Sequence, residues 1–264
     1  MNWFGDLNPI LQALIATTFT WGITLLGALM VCFFKEVNKR ALNTILGFSA
    51  GVMIAASFWS LLLPSIELSE ELGYIAWGLP ALGFILGGLF VLLSDKFLDK
   101  TLSDKNSIKK DSLKRSILLV SAITLHNIPE GMSIGVAFGG ISSGVSGMTL
   151  IGAIMLAVGI GIQNFPEGAA VSLPLRKEGF SRKKSFFIGQ ASALVEPISA
   201  VIGVILVLAV RSILPILLSF AAGAMITVAA RELLPESISE NKNLSTLGLI
   251  SGFVLMMVLD VALG

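Results

Sequence analysis

The sequence predicts an all-α polytopic membrane protein of eight transmembrane helices with an inverted repeat at its centre. Three observations lead there. The 264 residues are 55% hydrophobic and only 13% charged, with mean hydropathy +0.88, whereas soluble domains carry about 25% charged residues. Apolar runs of about 20 residues, the length that spans a bilayer, recur along the whole chain. The basic residues gather in alternate loops, as they do when one side of a membrane retains them. Short segments of alternating polarity, the signature of a membrane β-barrel, do not occur.

The spans run roughly 9–34, 42–63, 74–94, 116–138, 148–175, 186–209, 213–234 and 245–263. The first follows an acidic Asp6 and lacks a basic leader, which argues against a cleaved signal peptide. It carries Cys32, the single cysteine, so an internal disulfide and a Cys-rich metal site are excluded. The second holds Gly47, Gly51 and Met53, and a turn at 64–73 follows it with Glu67, Glu70 and Glu71. That turn reads as a cation-gathering entrance or simply as a solvated acidic surface. The third holds Gly83 and Gly87 and ends at Asp95. A flexible cytoplasmic loop, about 96–115, is rich in Lys, Asp and Ser, a composition that stays solvated and sits well near anionic lipid. The fourth holds Gly131 and Gly135. The fifth is long enough to include a kinked turn. The sixth carries Glu196, the seventh Glu232, and the eighth Gly248, Gly252 and an interfacial Asp260. The four Gly-x-x-x-Gly pairs predict close helix contacts. Nothing divides the chain, so residues 1–264 read as one transmembrane domain.

With the amino terminus outside, the inner loops hold Lys35, Lys39 and Arg40; Lys96, Lys100, Lys105, Lys109, Lys110, Lys114 and Arg115; Arg176, Lys177, Arg182, Lys183 and Lys184; and Lys242. The outer loops hold Arg211 alone. This asymmetry fixes the orientation, puts both termini outside the cytoplasm and requires an even number of spans. The net charge of +1, with basic residues confined to loops, gives no footprint for nucleic acid.

Ionisable groups within a bilayer are costly and point to function. Here they are His126, Glu130, Glu167 and Glu196. His126-Asn127-Ile128-Pro129-Glu130-Gly131 and Gln163-Asn164-Phe165-Pro166-Glu167-Gly168 lie on consecutive, oppositely running spans. In each motif the first residue and the glutamate are four apart, on one helix face. Two neighbouring helices could thus direct His, Gln, Asn and two Glu at one point, a donor set that suits zinc, iron(II) or manganese. A closed structural zinc site would need more Cys or His. Pro129 and Pro166 each remove a backbone donor, freeing the carbonyls of Leu125 and Ile162 and predicting kinks. Matching motifs of opposite sense are how many transporters build a site at the membrane midplane. Glu196-Pro197 repeats the grammar, and Glu196 reads as a further ligand or bridge. From spacing alone Met53 reads as packing. Carboxylates sharing one cavity repel each other until a cation or protons neutralise them.

The pair HNIPEG and QNFPEG on the fourth and fifth of eight spans resembles the ZIP (Zrt- and Irt-like) family of divalent metal transporters, and QNFPEGAAVSLPLRKEGFSRKKSF is most similar to its GufA-type branch. The resemblance implies a ZIP-type bundle moving zinc, and also iron(II), manganese or cadmium, into the cytoplasm. It further implies a bacterial inner membrane, a homodimer with lipid and metal ions as its other partners, and an elevator-like movement. A two-metal site lies between spans two, four, five and six of such proteins. The matching residues here are Met53, whose thioether the resemblance makes a ligand, His126, Asn127, Glu130, Gln163, Asn164, Glu167 and Glu196. Glu232 and Asp95 match an inner release path. Three departures stand out. Asn164 replaces an aspartate of some relatives, Arg231 replaces a histidine, and the inner loop holds no His. Two other functions fit less. A proton or monovalent-cation transporter would use the carboxylates as a relay. An intramembrane metalloenzyme of the His-Glu-x-x-His type would need a second histidine, and this chain has one.

Overall fold

A computed structural model describes residues 2–33, 38–102, 108–144, 148–239 and 241–263, and within these the His126 side chain lies outside the described residues. The described chain is helical, without a strand. After one turn at Asn2–Gly5 come α1 (Pro9–Phe33), α2 (Arg40–Glu71), α3 (Gly78–Leu102), α4 (Ile108–Ser142), α5 (Leu150–Lys177), α6 (Arg182–Ala209), α7 (Leu214–Ser237) and α8 (Lys242–Val258, continued by Leu259–Leu263). Among the described residues seven helices are long and apolar enough to cross a membrane. The remaining predicted span, 116–138, falls inside α4. The chain is therefore a multi-pass membrane protein.

The structure differs from expectation between spans. The second helix runs on to Glu71, so Glu67, Glu70 and Glu71 are exposed on a helical end rather than in a turn. Helix α3 reaches Leu102 and α4 begins at Ile108, so 96–102 and 108–115 of the expected loop are helical; 103–107 lie outside the described residues. Lys and Asp in that stretch did not stop the helices: lysine is a good helix former, and the cost of an aspartate is well under that of Gly or Pro. Pro129 and Pro166 lie inside continuous helices.

Four pairings hold the fold: α1 with α5, α4 with α6, α2 with α8 and α3 with α7. The first two pairs unite into one four-helix group and the last two into another; α2 against α5 and α4 against α7 join the groups. The predicted glycine pairs sit in these seams. A Cβ added to Gly51 would lie 2.1 Å from the Leu249 carbonyl, and one on Gly252 2.1 Å from that of Phe48. In a bilayer, where apolar area drives little association, such backbone approach is the main source of helix affinity.

The glycines of the two motifs have the same use. A Cβ on Gly131 would stand 2.3 Å from the Glu196 carbonyl, and one on Gly168 2.1 Å from that of Thr24. Each Pro-Glu-Gly therefore sets its glutamate directly beside a partner backbone: Glu130 next to α6, Glu167 next to α1.

Candidate metal centre

The fold gathers most of the predicted site into the first helix group. Asn127 and Glu130 come from α4, Gln163, Asn164 and Glu167 from α5, and Glu196 from α6; all six are buried. A 3₁₀ turn at Ser192–Leu194 interrupts α6 just before Glu196. Pro197 accounts for it, since proline cannot donate a helical hydrogen bond and crowds the carbonyl four residues back. The break leaves the Ser192 carbonyl to accept from Asn127 Nδ2 at 3.0 Å.

The amides are held by one end. Gln163 Nε2 donates to Glu130 Oε1. Asn164 Nδ2 donates to Glu196 Oε1 at 2.9 Å and to the Thr20 carbonyl at 3.4 Å. The other ends, Asn127 Oδ1, Gln163 Oε1 and Asn164 Oδ1, are buried and have no hydrogen-bond partner among the described residues. Buried polar atoms are seldom left so. Three neutral oxygens among carboxylates are hard donors of the kind that divalent cations accept.

Glu167 and Glu196 both stand close enough to Glu130 to repel its charge, and Glu167 acts likewise on Glu196. Among the described residues no three His, Cys, Asp or Glu form a metal-holding group by themselves. A metal ion here would have to draw on the amide oxygens as well. Where the His126 side chain lies is outside the described residues, although its backbone belongs to α4.

Met53 is fully buried on α2, in the second helix group. One turn before it, Ser49 Oγ donates to the Gln163 carbonyl at 3.4 Å. The face of α2 that carries Met53 thus meets α5 at the motif.

Sequence reasoning missed Thr20. Its hydroxyl donates to Glu196 Oε2 at 2.5 Å, and its side chain is buried. Thr17, Thr20 and Thr24 are all buried on α1. Their spacing of three and four on an apolar span was a signal that this helix turns a polar face inward. Sequence reasoning also set Asp260 at the membrane surface. The structure turns it into a cavity of about 230 Å³ lined by Trp59, Ser60 and Thr149, where Ser60 Oγ donates to Asp260 Oδ1 at 2.6 Å. Ser60 and Asp260 both sit on π turns, local defects that are frequent at functional positions.

Asp95 and Glu232, the two predicted release-path residues, line one small cavity together with Leu125, the neighbour of His126. Arg231 lies on a π turn of α7 and its Nε stands 3.1 Å from Asp95 Oδ2. Half of the Arg231 side chain is exposed, and ion pairs of that kind contribute about 0.2–1 kcal/mol. Arg231→Ala should therefore leave thermal unfolding nearly unmoved; a shift of ten degrees in a melting curve would show that the pair holds α3 to α7.

Residues 103–260 match the family described as ZIP Zinc transporter. The chain is 38% identical to zinc transporter ZIP11 of Homo sapiens, over 97% of this chain and 98% of that one. It is 37% identical to zinc transporter ZIPB of Bordetella bronchiseptica, over 91% of this chain and 78% of the other, and 34% identical to zinc transporter GufA of Myxococcus xanthus, over 95% and 98%. The double motif, the helix that presents each copy, and likeness along nearly the full length agree: this chain belongs to the ZIP zinc transporter family.

Proposed function

We propose that this chain carries divalent metal ions across a bacterial inner membrane into the cytoplasm, zinc foremost, with iron(II), manganese and cadmium as further substrates. The observation that carries the reading is the set of three buried amide oxygens without donors, beside Glu130, Glu167 and Glu196. The ligands are drawn from Met53, His126, Asn127, Glu130, Gln163, Asn164, Glu167 and Glu196, across the two adjacent positions that the family resemblance implies. Three relatives named zinc transporters support zinc as the first substrate. The mixed, oxygen-rich donor set supports breadth beyond it.

Direction follows from the loop charges, which put both termini outside and Asp95 and Glu232 toward the cytoplasm. A divalent ion moving inward gains about 4.6 kcal/mol per 100 mV of membrane potential. Residues 1–264 act as one transport domain, in a homodimer set in lipid. Movement of the helix group bearing the glutamates against the group bearing Met53 would open the site to each side in turn. Membership of a transporter family removes the metalloenzyme alternative.

The test is zinc uptake into proteoliposomes holding the purified protein and an internal zinc indicator. The reading predicts saturable uptake that His126→Ala lowers severalfold while the folded yield is kept. Proton or sodium flux with no movement of zinc, iron, manganese or cadmium would instead favour a carboxylate relay.

A further inference from the structure

We infer that this chain binds one divalent ion at a time, because two neutral donors, Thr20 and Asn164, close the second metal position. The inference rests on the metal-site reading above and narrows it.

Both oxygens of Glu196 are engaged. Oε2 accepts from the Thr20 hydroxyl at 2.5 Å and Oε1 from Asn164 Nδ2 at 2.9 Å. The three side chains come from α1, α5 and α6 and all are fully buried or nearly so. Asn164 also ties the same nitrogen to the Thr20 carbonyl at 3.4 Å. The edge that Asn164 turns to Glu196 is therefore N–H, which repels a cation. To ligate an ion shared with Glu196, Asn164 would have to rotate and give up both bonds.

Charge counting points the same way. Glu130, Glu167 and Glu196 bring three negative charges, and a histidine that ligates is neutral. One divalent ion leaves a net charge of minus one, on a patch where N–H and O–H donors already face carboxylates. Two ions would leave plus one, with those same donors facing the excess charge. Burial makes an uncompensated charge costly, and the single-ion state leaves its excess on carboxylates that the Thr20, Gln163 and Asn164 donors already contact. A fourth carboxylate would let two ions reach neutrality.

Thr20 and Asn164 thus act as positioning residues: they hold the Glu196 carboxyl group between two donors. The experiment counts ions. Purified protein is dialysed to equilibrium against zinc, and bound zinc is measured by mass spectrometry. The count of a Glu130→Ala/Glu167→Ala variant is subtracted to remove surface binding. The expected result is one zinc per chain in the wild type and in Thr20→Ser, and two in Asn164→Asp or in Thr20→Asp. The two acidic variants are independent, so one that fails to fold leaves the other. Two ions in the wild type would overturn the inference, as would one ion in both acidic variants. A wild type that binds none would instead sink the metal-site reading on which it rests.

Discussion

Glu167→Gln is expected to lower zinc flux at least about tenfold, equivalent to roughly 1.4 kcal/mol, with little loss of folded protein. The substitution keeps the volume and removes one negative charge from a buried patch. Two effects then oppose each other. Repulsion of Glu130 and Glu196 falls, which stabilises the empty protein. The attraction that draws a divalent ion out of water falls as well, and strongly where water is sparse. Stability should therefore hold or rise while flux collapses, a split that a residue of merely structural importance would not produce. Glu130→Gln should behave alike, since it too removes a buried negative charge while its amide oxygen still accepts from Gln163 Nε2. Flux in proteoliposomes together with a melting curve measures both sides. Wild-type flux in Glu167→Gln would show that the motif is only a packing device.

Gly131→Ala is expected to destabilise the protein by about 1–3 kcal/mol, the range of an overpacked interior, and to abolish most flux. Its added methyl would meet the Glu196 carbonyl and Ser199 Oγ, each at 2.3 Å, and Glu196 Cα at 2.5 Å. Backbone cannot step aside as a flexible side chain can, so α4 and α6 must separate. Glu130 and Glu196 ride on those two helices next to the contact and would move apart with them. Gly22→Ala is the matched control, because nothing lies within 4 Å of the added carbon, and alanine favours a helix over glycine by about 1 kcal/mol. Equal melting temperatures for the two variants would contradict the close approach.

These expectations show what was legible in the sequence and what was not. The spans were readable because a bilayer demands about 20 apolar residues in a row. The two motifs were readable because carboxylates in such runs are costly. The meaning of their glycines needed the partner helices, which lie far along the chain: Gly131 answers to Glu196 and Gly168 to Thr24. Thr20 was invisible for the same reason, since its acceptor is 176 residues away. A threonine in an apolar span can satisfy itself on its own helix, as Thr17 does on the Ala13 carbonyl at 2.7 Å, and the Thr20 hydroxyl also lies 3.0 Å from the Thr17 carbonyl, so only the fold reveals Glu196 as its second acceptor. The extra helix at Glu67–Glu71 and on both sides of 103–107 escaped because charged residues mark the edge of the membrane rather than the end of a helix. The height of Asp260 along α8 was readable, but its hydrogen bond to Ser60, 200 residues away, was not.

The central claim is that a divalent ion sits among the glutamates and amide oxygens of the double motif. Anomalous scattering at the zinc edge, from crystals grown with zinc, tests it most directly because it reports position and ligands together. The expected map has a single strong peak bounded by Glu130, Glu167 and Gln163 in each chain. Peaks confined to exposed carboxylates such as Glu67 and Glu70, with none among those three residues, would contradict it.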